Sequence, residues 1–238
     1  MSPAAMAAGG TGAFCALSAA MAWAVRAPCA TLLAPSFCRG VRTRRALALT
    51  FDDGPSEATE QLLEVLAAHR VRATFFQCGA NVSRLPGVAR EVASAGHDLG
   101  NHTMSHPYLF LRSAAFISEE MTAAQEIIAG VTGVRPRLFR PPYGVRWFGL
   151  RAAQERLGLT SVLWSTIGRD WKIPAHSVVR RLLAGAKNGA IFCLHDGREL
   201  RARPDVATTI EAVRQVIPEL LDRGFHFETV NEILCPTS

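Results

Sequence analysis

Residues 46–55, ALALTFDDGP, join a continuous apolar run to two adjacent aspartates. The run at 46–51 has the length and apolar density of a buried strand, and the Gly-Pro pair ends it because proline donates no ladder hydrogen bond. Asp52 and Asp53 therefore lie at the end of a predicted strand. Two buried carboxylates persist side by side when a cation neutralises one of them or when they share a proton. The alternative is an ordinary turn with aspartate at its first positions.

Apolar runs alternate with longer amphipathic stretches along the rest of the chain. Further apolar runs occur at 72–77, 97–100, 159–164, 190–194 and 225–230, with a weaker one near 137–139. Amphipathic helices fit residues 57–69, 113–129, 147–157, 175–186 and 206–223. This alternation predicts an α/β fold with a parallel sheet, and about seven units predict a distorted, incompletely closed (β/α) barrel. In such barrels the functional side chains gather at the carboxyl ends of the strands.

The distribution of charge argues against a protein that binds polyanions. The 238-residue chain has a net charge of +6, with 49% hydrophobic and 19% charged residues, which is typical of a globular domain. Residues 1–46 contain five arginines and no acidic residue, so nearly all of the positive excess lies in this short segment. The remainder is almost neutral, and we therefore predict no nucleic-acid partner.

The amino-terminal segment, residues 1–45, differs in composition from the predicted catalytic domain at 46–235. Residues 3–25 are rich in alanine and glycine and carry no charge, a length that suits a membrane span although these residues contribute little to insertion. An anchor, a signal and a helical extension packed on the domain are all open at this point. We expect a monomer at the membrane, in the cell envelope or outside the cell, with the cytoplasm as the alternative.

Six cysteines are spread along the chain without a CxxC pair or a spacing typical of metal sites. Cys78 and Cys193 lie in apolar runs, where a small buried thiol is the ordinary explanation. A disulfide among the remaining four cysteines is an open alternative.

Two histidines follow the run at 97–100, in the sequence NHTMSH. His102 and His106 are four residues apart, a spacing that brings two nitrogen ligands onto one face of a helical turn. With an aspartate at the end of a neighbouring strand they form a two-histidine, one-carboxylate set. Three protein ligands leave positions open for water and substrate, which indicates a catalytic metal site. A chance pair of histidines is the alternative.

Three further segments bring polar residues to the ends of predicted strands. The sequence FRPPYG carries Arg140 and Tyr143, and its rigid prolines help to aim the arginine side chain and the Tyr143 backbone N–H. Asp170 and Trp171 form a DW pair, and His195 ends the apolar run AIFCLH. A lone histidine at a strand end is more often structural, so the significance of His195 depends on the other groups.

The remaining aromatic and histidine candidates are expected to be structural. Trp147 and Phe148 follow RPPYG closely and could form part of a wall that stacks on sugars, but we favour core positions at the start of a helix. The other histidines are expected at the surface or in structural roles: His69, His97, His176 and His226.

In their order and separation, the elements TFDDGP, NHTMSH, RPPYG, DW and LHD resemble the polysaccharide deacetylase family, also known as the NodB-homology or carbohydrate esterase family 4 enzymes. The resemblance covers about residues 46–235. It implies the distorted (β/α) barrel of that family, in agreement with the alternation of strands and helices.

The resemblance also implies a divalent metal bound by three residues, Asp53, His102 and His106. The metal is usually zinc in this family, and cobalt or nickel can substitute. The partner that the resemblance implies is an N-acetylated glycan, which is the substrate.

The same resemblance implies the remaining catalytic roles. Asp52 would act as the general base, held in place by Arg140, and His195 would act as the general acid. The Tyr143 backbone N–H would contribute to the oxyanion hole. Trp171 would line the pocket near the acetyl group or His195.

One position departs from the family's pattern. The family usually has an aspartate three residues before the Asp of the DW pair, where it supports the general-acid histidine, and here that residue is Ile167. Without this carboxylate we expect His195 to lose an orienting partner and the rise in pKa that it confers, unless Asp170 or Asp196 compensates. Cys193 stands where the family often has leucine.

These observations predict a hydrolase that removes N-acetyl groups from GlcNAc-containing polysaccharide, of the peptidoglycan or chitin type. A second hypothesis is a deacylase or deformylase of a lipid-linked amino sugar or another small amide. A third is a metal-containing carbohydrate-binding protein without turnover. Asp52 and His195 argue against the third hypothesis because binding alone requires neither residue.

Overall fold

A computed structural model gives the conformation of residues 16–236, and the structural statements below concern this part of the chain. The strands are β1 (Ser36–Phe37), β2 (Ala46–Asp52), β3 (Thr74–Gln77), β4 (Asp98–Asn101), β5 (Leu138–Phe139), β6 (Thr160–Val162), β7 (Thr166–Ile167), β8 (Ala190–His195) and β9 (His226–Phe227). The helices are α1 (described over 16–26), α2 (Thr59–Ala68), α3 (Gly79–Arg84), α4 (Pro86–Ser94), α5 (Ala114–Thr132), α6 (Leu150–Leu157), α7 (Ala175–Gly185), α8 (Ala207–Asp222) and α9 (Val230–Leu234). A short 3-10 turn covers Pro142–Gly144.

The nine strands of the described residues form one sheet, and the neighbouring strands are parallel. Their order is β1-β6-β5-β4-β3-β2-β8-β7, and the short strand β9 also pairs with β2. The predicted distorted (β/α) barrel is confirmed, and it is open because β1 and β7 end the sheet without pairing to each other in this part of the chain. Each of the seven predicted apolar runs contains a strand, whereas β1 and β7 have only two residues and show no periodicity.

Strand β2 anchors the main core because it is buried along its whole length. Its side chains pack with β3, β8 and the helices α2, α7 and α8 in one continuous hydrophobic cluster. The rings of Phe51 and Phe75 are 5.1 Å apart in this cluster. Each such buried side chain contributes roughly 1.5–3 kcal/mol to folding. The carboxyl end of β2, with its two aspartates, is thereby held in a rigid position.

The register of the sheet brings the predicted functional segments to one edge. Asp52, the last residue of β2, is paired with His195, the last residue of β8. On the other side of β2, Asn101 ends β4 and is paired with Phe139, the last residue of β5. Since parallel strands end at the same edge, the segments TFDDGP, NHTMSH, RPPYG and LHD meet there.

The described part of the amino-terminal segment packs on this framework. Arg146 is fully buried, and its guanidinium donates hydrogen bonds to the backbone carbonyls of Ala27 and Ala30. A disulfide joins Cys29 to Cys38 and closes the intervening loop. Strand β1 extends the sheet by pairing with β6, so the sheet contains residues from both sides of the predicted boundary between 45 and 46.

The uncharged stretch at 3–25 lies partly outside the described residues, since residues 3–15, which include Cys15, are not among them. Its other part belongs to helix α1. Within residues 16–236, no helix has both the length and the apolar character needed to cross a membrane. A role of this stretch as an anchor or a signal stays a prediction.

Candidate metal and catalytic site

Three side chains from two strand ends converge on one point. Asp53 Oδ1 lies 3.0 Å from His106 Nε2 and 3.4 Å from His102 Nε2, and all three side chains are buried. The two imidazole rings are 5.0 Å apart. Two nitrogens and one carboxylate oxygen at these distances form the predicted two-histidine, one-carboxylate set.

The two histidines meet through a loop, and the prediction of a helical turn is wrong. The segment after β4 has no helical hydrogen bonding, and Thr103 and His106 have φ angles of 70° and 54°. These left-handed residues reverse the chain locally, which brings the His106 ring beside that of His102. His102 and His106 therefore come together although the residues between them form neither a helix nor a strand.

The contacts around the three residues leave their inner atoms free for a cation. His102 Nδ1 lies 2.7 Å from the Arg140 carbonyl oxygen, which orients the ring with Nε2 toward Asp53. Asp53 Oδ2 accepts a hydrogen bond of 2.9 Å from the Glu199 N–H, so Oδ1 is the oxygen that faces the histidines. His106 Nδ1 is buried without a hydrogen-bond partner.

The electrostatics of Asp53 also suit a cation. Burial raises the pKa of Asp53, but hydrogen bonds with His102 and His106 outweigh burial and hold that pKa well below its usual range. A carboxylate whose pKa is lowered, placed between two imidazole nitrogens, matches the donor set of zinc and related divalent metals. The residues present therefore fit the metal that the resemblance implies.

The neighbouring aspartate has different surroundings. Asp52 Oδ1 accepts a hydrogen bond of 2.6 Å from Arg140 Nη1, and the Arg140 side chain is completely buried. The same guanidinium donates to Thr50 and to the carbonyls of Val162 and Leu163, and it lies over a phenylalanine ring at 4.0 Å. Arg140 is thus fixed on five sides and fixes Asp52 in turn.

Asp52 Oδ2 faces a thiol and the histidine of the adjacent strand. Cys193 Sγ donates to Asp52 Oδ2 at 3.4 Å. Side-chain atoms of Asp52, Cys193 and His195 all lie within 4.8 Å of one another. The two adjacent aspartates therefore differ: Asp53 faces two histidines, while Asp52 is paired with arginine and retains an oxygen that faces His195.

His195 has the carboxylate partner whose absence was expected from Ile167. Its Nδ1 lies 2.9 Å from Asp170 Oδ1, and Asp170 Oδ2 accepts a hydrogen bond from the His195 backbone N–H. Burial lowers the pKa of His195, but the charge of Asp170 and its hydrogen bond outweigh burial and raise that pKa to about 9. Asp170 thus compensates for Ile167, which is one of the two alternatives left open by the sequence, and His195 keeps an orienting partner.

Tyr143 and Trp171 lie against the two histidine groups in a cavity of about 810 Å³. The Tyr143 ring packs edge-on to His106 at 4.7 Å, and the Trp171 ring packs edge-on to His195 at 4.9 Å. Both side chains are about half exposed. Tyr143 has a φ angle of 56°, a left-handed conformation that sets the direction of its peptide groups. Both rings form part of the cavity wall.

Four polar residues of the site were not predicted from the sequence. Glu199 holds Asp53 through its N–H and accepts a hydrogen bond from the Tyr143 hydroxyl at 2.9 Å. The Asn81 amide donates to the carbonyls of Asp53 and Glu199. Thr209 and Arg198 contact Asp170. These contacts join residues far apart in sequence, and no local motif marks them.

Asp196 was considered as an alternative partner of His195, and it has another environment. Its side chain is buried and accepts a hydrogen bond of 2.6 Å from the Thr59 hydroxyl. Burial raises the pKa of Asp196 to about 7. A Cβ at Gly54 would lie 2.1 Å from Asp196 Oδ2, so this close packing requires glycine in the DDGP turn.

Comparisons with known proteins agree with this geometry. The family model for polysaccharide deacetylases matches residues 39–162. The chitooligosaccharide deacetylase of Bradyrhizobium sp. (strain ANU 289) is 37% identical over 198 residues, which cover 79% of this chain and 90% of that protein. The peptidoglycan-N-acetylglucosamine deacetylase PgdA of Listeria monocytogenes is 34% identical over 194 residues, which cover 81% of this chain and 39% of that longer protein.

Solved structures share the fold. The peptidoglycan N-acetylglucosamine deacetylase Bc1960 superposes with a TM-score of 0.78 at 30% identity, over 83% of this chain and 92% of that one. The protein BA3943 of Bacillus anthracis, described as a CE4 family pseudoenzyme, superposes with a TM-score of 0.77 at 25% identity, over 86% of this chain and 70% of that one. Similar folds therefore occur both with and without catalytic activity.

Proposed function

The chain belongs to the polysaccharide deacetylase family, and on this basis we propose that it is a metal-dependent hydrolase that removes N-acetyl groups from GlcNAc-containing glycans and releases acetate. One observation carries the proposal. The Asp53–His102–His106 group, the Arg140-bound Asp52 and the Asp170-bound His195 all border one cavity. The relatives named above act on chitooligosaccharides or on peptidoglycan, and these substrates share N-acetylglucosamine.

Asp53, His102 and His106 would hold the divalent cation, with zinc as the expected metal and cobalt or nickel as substitutes. When bound, the cation would polarise the amide carbonyl and acidify water. The protein contributes the fixed donor geometry, through the Glu199 N–H on Asp53 Oδ2 and the Arg140 carbonyl on His102 Nδ1.

Asp52 is proposed as the general base that takes a proton from the attacking water. A base is most effective when its position is fixed relative to the proton that it accepts. Arg140 fixes Asp52 through Oδ1, so Oδ2, whose contact is the weak Cys193 thiol donor, is the oxygen proposed to receive the proton. The buried Arg140 guanidinium also places a permanent positive charge 2.6 Å from Asp52 Oδ1.

His195 is proposed as the general acid for the departing amine. A free amine is a poor leaving group unless it is protonated, and a histidine with a pKa of about 9 is protonated at neutral pH. The Asp170 carboxylate binds Nδ1, so Nε2 is the nitrogen that can donate toward substrate. The Tyr143 backbone N–H is proposed to stabilise the developing oxyanion, and Trp171 to line the acetyl pocket.

The pseudoenzyme among the structural neighbours makes turnover the property to test. Acetate release from a GlcNAc oligomer is measured with the zinc-loaded protein, the chelated protein and the Asp52→Asn variant. We expect release from the first sample only, with a loss of roughly 10²–10⁴-fold in the variant. Asp222→Asn, an exposed change on α8, is the matched control and should retain activity.

Two other results of this experiment would contradict the proposed function. Zinc binding without acetate release from chitin-type and peptidoglycan-type substrates would favour the carbohydrate-binding hypothesis. Release from a small amide or a lipid-linked amino sugar alone would support the hypothesis of a deacylase or deformylase that acts on such substrates.

A further inference from the structure

A row of aromatic side chains leads away from the metal-site histidines across the surface. The ring of Tyr143, which contacts His106, lies 5.7 Å from Tyr108, and Tyr108 lies 6.3 Å from Phe110. Phe110 packs edge-on to Trp147 at 4.5 Å, and Trp147 packs edge-on to Phe148 at 5.0 Å. We call these five residues the aromatic track.

Four of the five rings of the track are exposed. Tyr108, Phe110, Tyr143 and Phe148 are between 37% and 54% exposed, whereas Trp147 is partly buried and contacts two core clusters. The expectation that Phe148 lies in the core is therefore wrong. A continuous exposed apolar surface on a folded protein usually marks a binding site.

Contacts with neighbouring side chains hold the two tyrosines of the track in place without a ligand. The Arg26 guanidinium is 2.5 Å from the Tyr108 hydroxyl and 5.9 Å from the centre of its ring. The Tyr143 hydroxyl donates to Glu199, which also holds Asp53. Rigid, pre-positioned rings lose little conformational entropy when they bind a ligand, which favours affinity.

We propose that the aromatic track binds the sugar units that flank the reacting N-acetylglucosamine, on the His106 side of the site. The inference rests on the proposed function, and it identifies the substrate class as a chain of several sugar units. Pyranose rings present apolar C–H faces and polar edges, which match exposed aromatic faces bordered by tyrosine hydroxyls. A small amide or a single sugar would leave the track uncovered.

Continuity with the catalytic residues favours a glycan over a lipid surface as the occupant. The track begins at Tyr143, which packs on His106 and also lines the cavity, so the track adjoins the site in which the reacting sugar would bind. The Tyr108 hydroxyl accepts from Arg26 and retains its donor, and the Tyr143 hydroxyl donates to Glu199 and retains its acceptor positions, which suits a polar ligand edge more than acyl chains. Binding energy from these remote units can position the reacting acetamide group.

The test compares chain lengths in variants of the outer track. Phe148→Ala and Phe110→Ala are assayed for binding of GlcNAc dimer and hexamer by calorimetry, and for acetate release with both oligomers. We expect the hexamer to bind the wild type much more tightly than the dimer, and each variant to weaken hexamer binding roughly tenfold. Phe148→Trp, which keeps a stacking surface, should restore it.

A matched control removes an aromatic ring elsewhere. Phe37 on β1 is 50% exposed and lies outside the track, so Phe37→Ala should leave hexamer binding unchanged. Unchanged thermal midpoints would exclude misfolding as the cause of weaker binding in the track variants.

Separate outcomes distinguish the track from the enzyme activity. Acetate release that is equally efficient for dimer and hexamer, in wild type and variants, would overturn the track while the proposed function stands. Length-dependent binding without acetate release would support the track and contradict the proposed function. Phe148→Ala and Phe110→Ala that lose binding to anionic phospholipid vesicles, but keep hexamer binding, would assign the surface to a membrane and overturn the proposal.

Discussion

The Asp170 carboxylate binds His195 at two points, the imidazole ring and the backbone N–H. Asp170 Oδ1 is 2.9 Å from the ring Nδ1, and Oδ2 is 3.0 Å from the backbone nitrogen. Thr209 donates to Oδ2 as well, at 2.5 Å. Charge from His195 and these hydrogen bonds outweigh the effect of burial and lower the pKa of Asp170. An ionised Asp170 is thus available to stabilise a protonated His195 across the neutral range.

This pair sets the expected alkaline limit of activity. A histidine acid works while protonated, so kcat should fall as the pH rises through its pKa of about 9. A divalent cation beside Asp53 opposes protonation of His195, which places the limit of the metal-loaded enzyme at or below that value. Asp170→Asn removes the stabilising charge and should move the limit down by about one to three units. The measurement is the pH profile of kcat between pH 6 and 10.

The stability of the folded protein should follow the same pair. The pKa of His195 is raised on folding from an ordinary value near 6.5. The resulting stabilisation is fully present below pH 6.5 and is lost as the pH rises toward 9. Urea unfolding of the metal-free protein at pH 6 and pH 9 measures this loss, which should be smaller in Asp170→Asn. An equal loss in both proteins, or an unmoved kcat profile, would argue that another group supplies the proton.

Removal of one metal ligand should abolish metal-dependent stabilisation. His106→Gln removes one of two imidazole nitrogens, so the bound metal after dialysis should fall from one ion per chain to a small fraction. Zinc at a thousand times its Kd should stabilise the wild type by about 4 kcal/mol and the variant by far less. Elemental analysis and thermal midpoints with and without zinc provide the two readouts.

The control for this change is another histidine. His176 is exposed on α7, and His176→Gln should bind zinc like the wild type. The metal assignment fails if His106→Gln retains a full equivalent of zinc. It also fails if both variants lose the metal equally.

The positions of the site residues could be predicted because they lie in short motifs at strand ends. Asp52 and His195 each end a buried apolar run, and such runs are visible in sequence. The helix predicted at 113–129 begins as its sequence indicates, because the Ser113 side chain accepts a hydrogen bond from the Phe116 N–H and so caps α5. Helices α3 and α4 were not predicted, because they are short and separated by a single non-helical residue, Leu85.

Backbone conformation and long-range contacts could not be predicted in the same way. The left-handed φ angles of Thr103 and His106 follow from the packing of their loop, and no glycine in the segment NHTMSH indicates them. The sequence left Asp170 and Asp196 as alternative partners of His195, and only the fold shows that the side chain that reaches the ring comes from Asp170. Glu199 contacts Asp53 across 146 residues. Tertiary structure alone brings such pairs together.

Replacement of the buried Arg140 should destabilise the protein more than the loss of any exposed ion pair. Arg140→Met leaves the Asp52 carboxylate buried without its partner, which costs about 3–5 kcal/mol in comparable cases. Arg140→Lys keeps a charge but cannot make all the bonds of the guanidinium, so its cost should be intermediate. Urea unfolding of the metal-free proteins measures both values.

An exposed ion pair supplies the comparison. Arg135 lies 2.9 Å from Glu126, with both side chains more than half exposed. Arg135→Met should therefore change the free energy of unfolding by at most about 1 kcal/mol. Equal effects at the two positions would mean that Asp52 is solvated when Arg140 is absent.

Cys193 should affect kcat through Asp52 Oδ2, the carboxylate oxygen that Arg140 does not bind. Its thiol donates to Asp52 Oδ2 at 3.4 Å, and a thiol is a weak donor. Cys193→Ser substitutes a stronger donor that competes for the same oxygen, so kcat should fall about tenfold with KM unchanged. Cys193→Leu removes the donor and should retain kcat within about threefold. Burial and the nearby Asp52 charge raise the pKa of the Cys193 thiol well above its usual value, so alkylating reagents should spare it in the folded enzyme. A serine variant as active as the wild type would show that Asp52 Oδ2 is not the oxygen that accepts the proton.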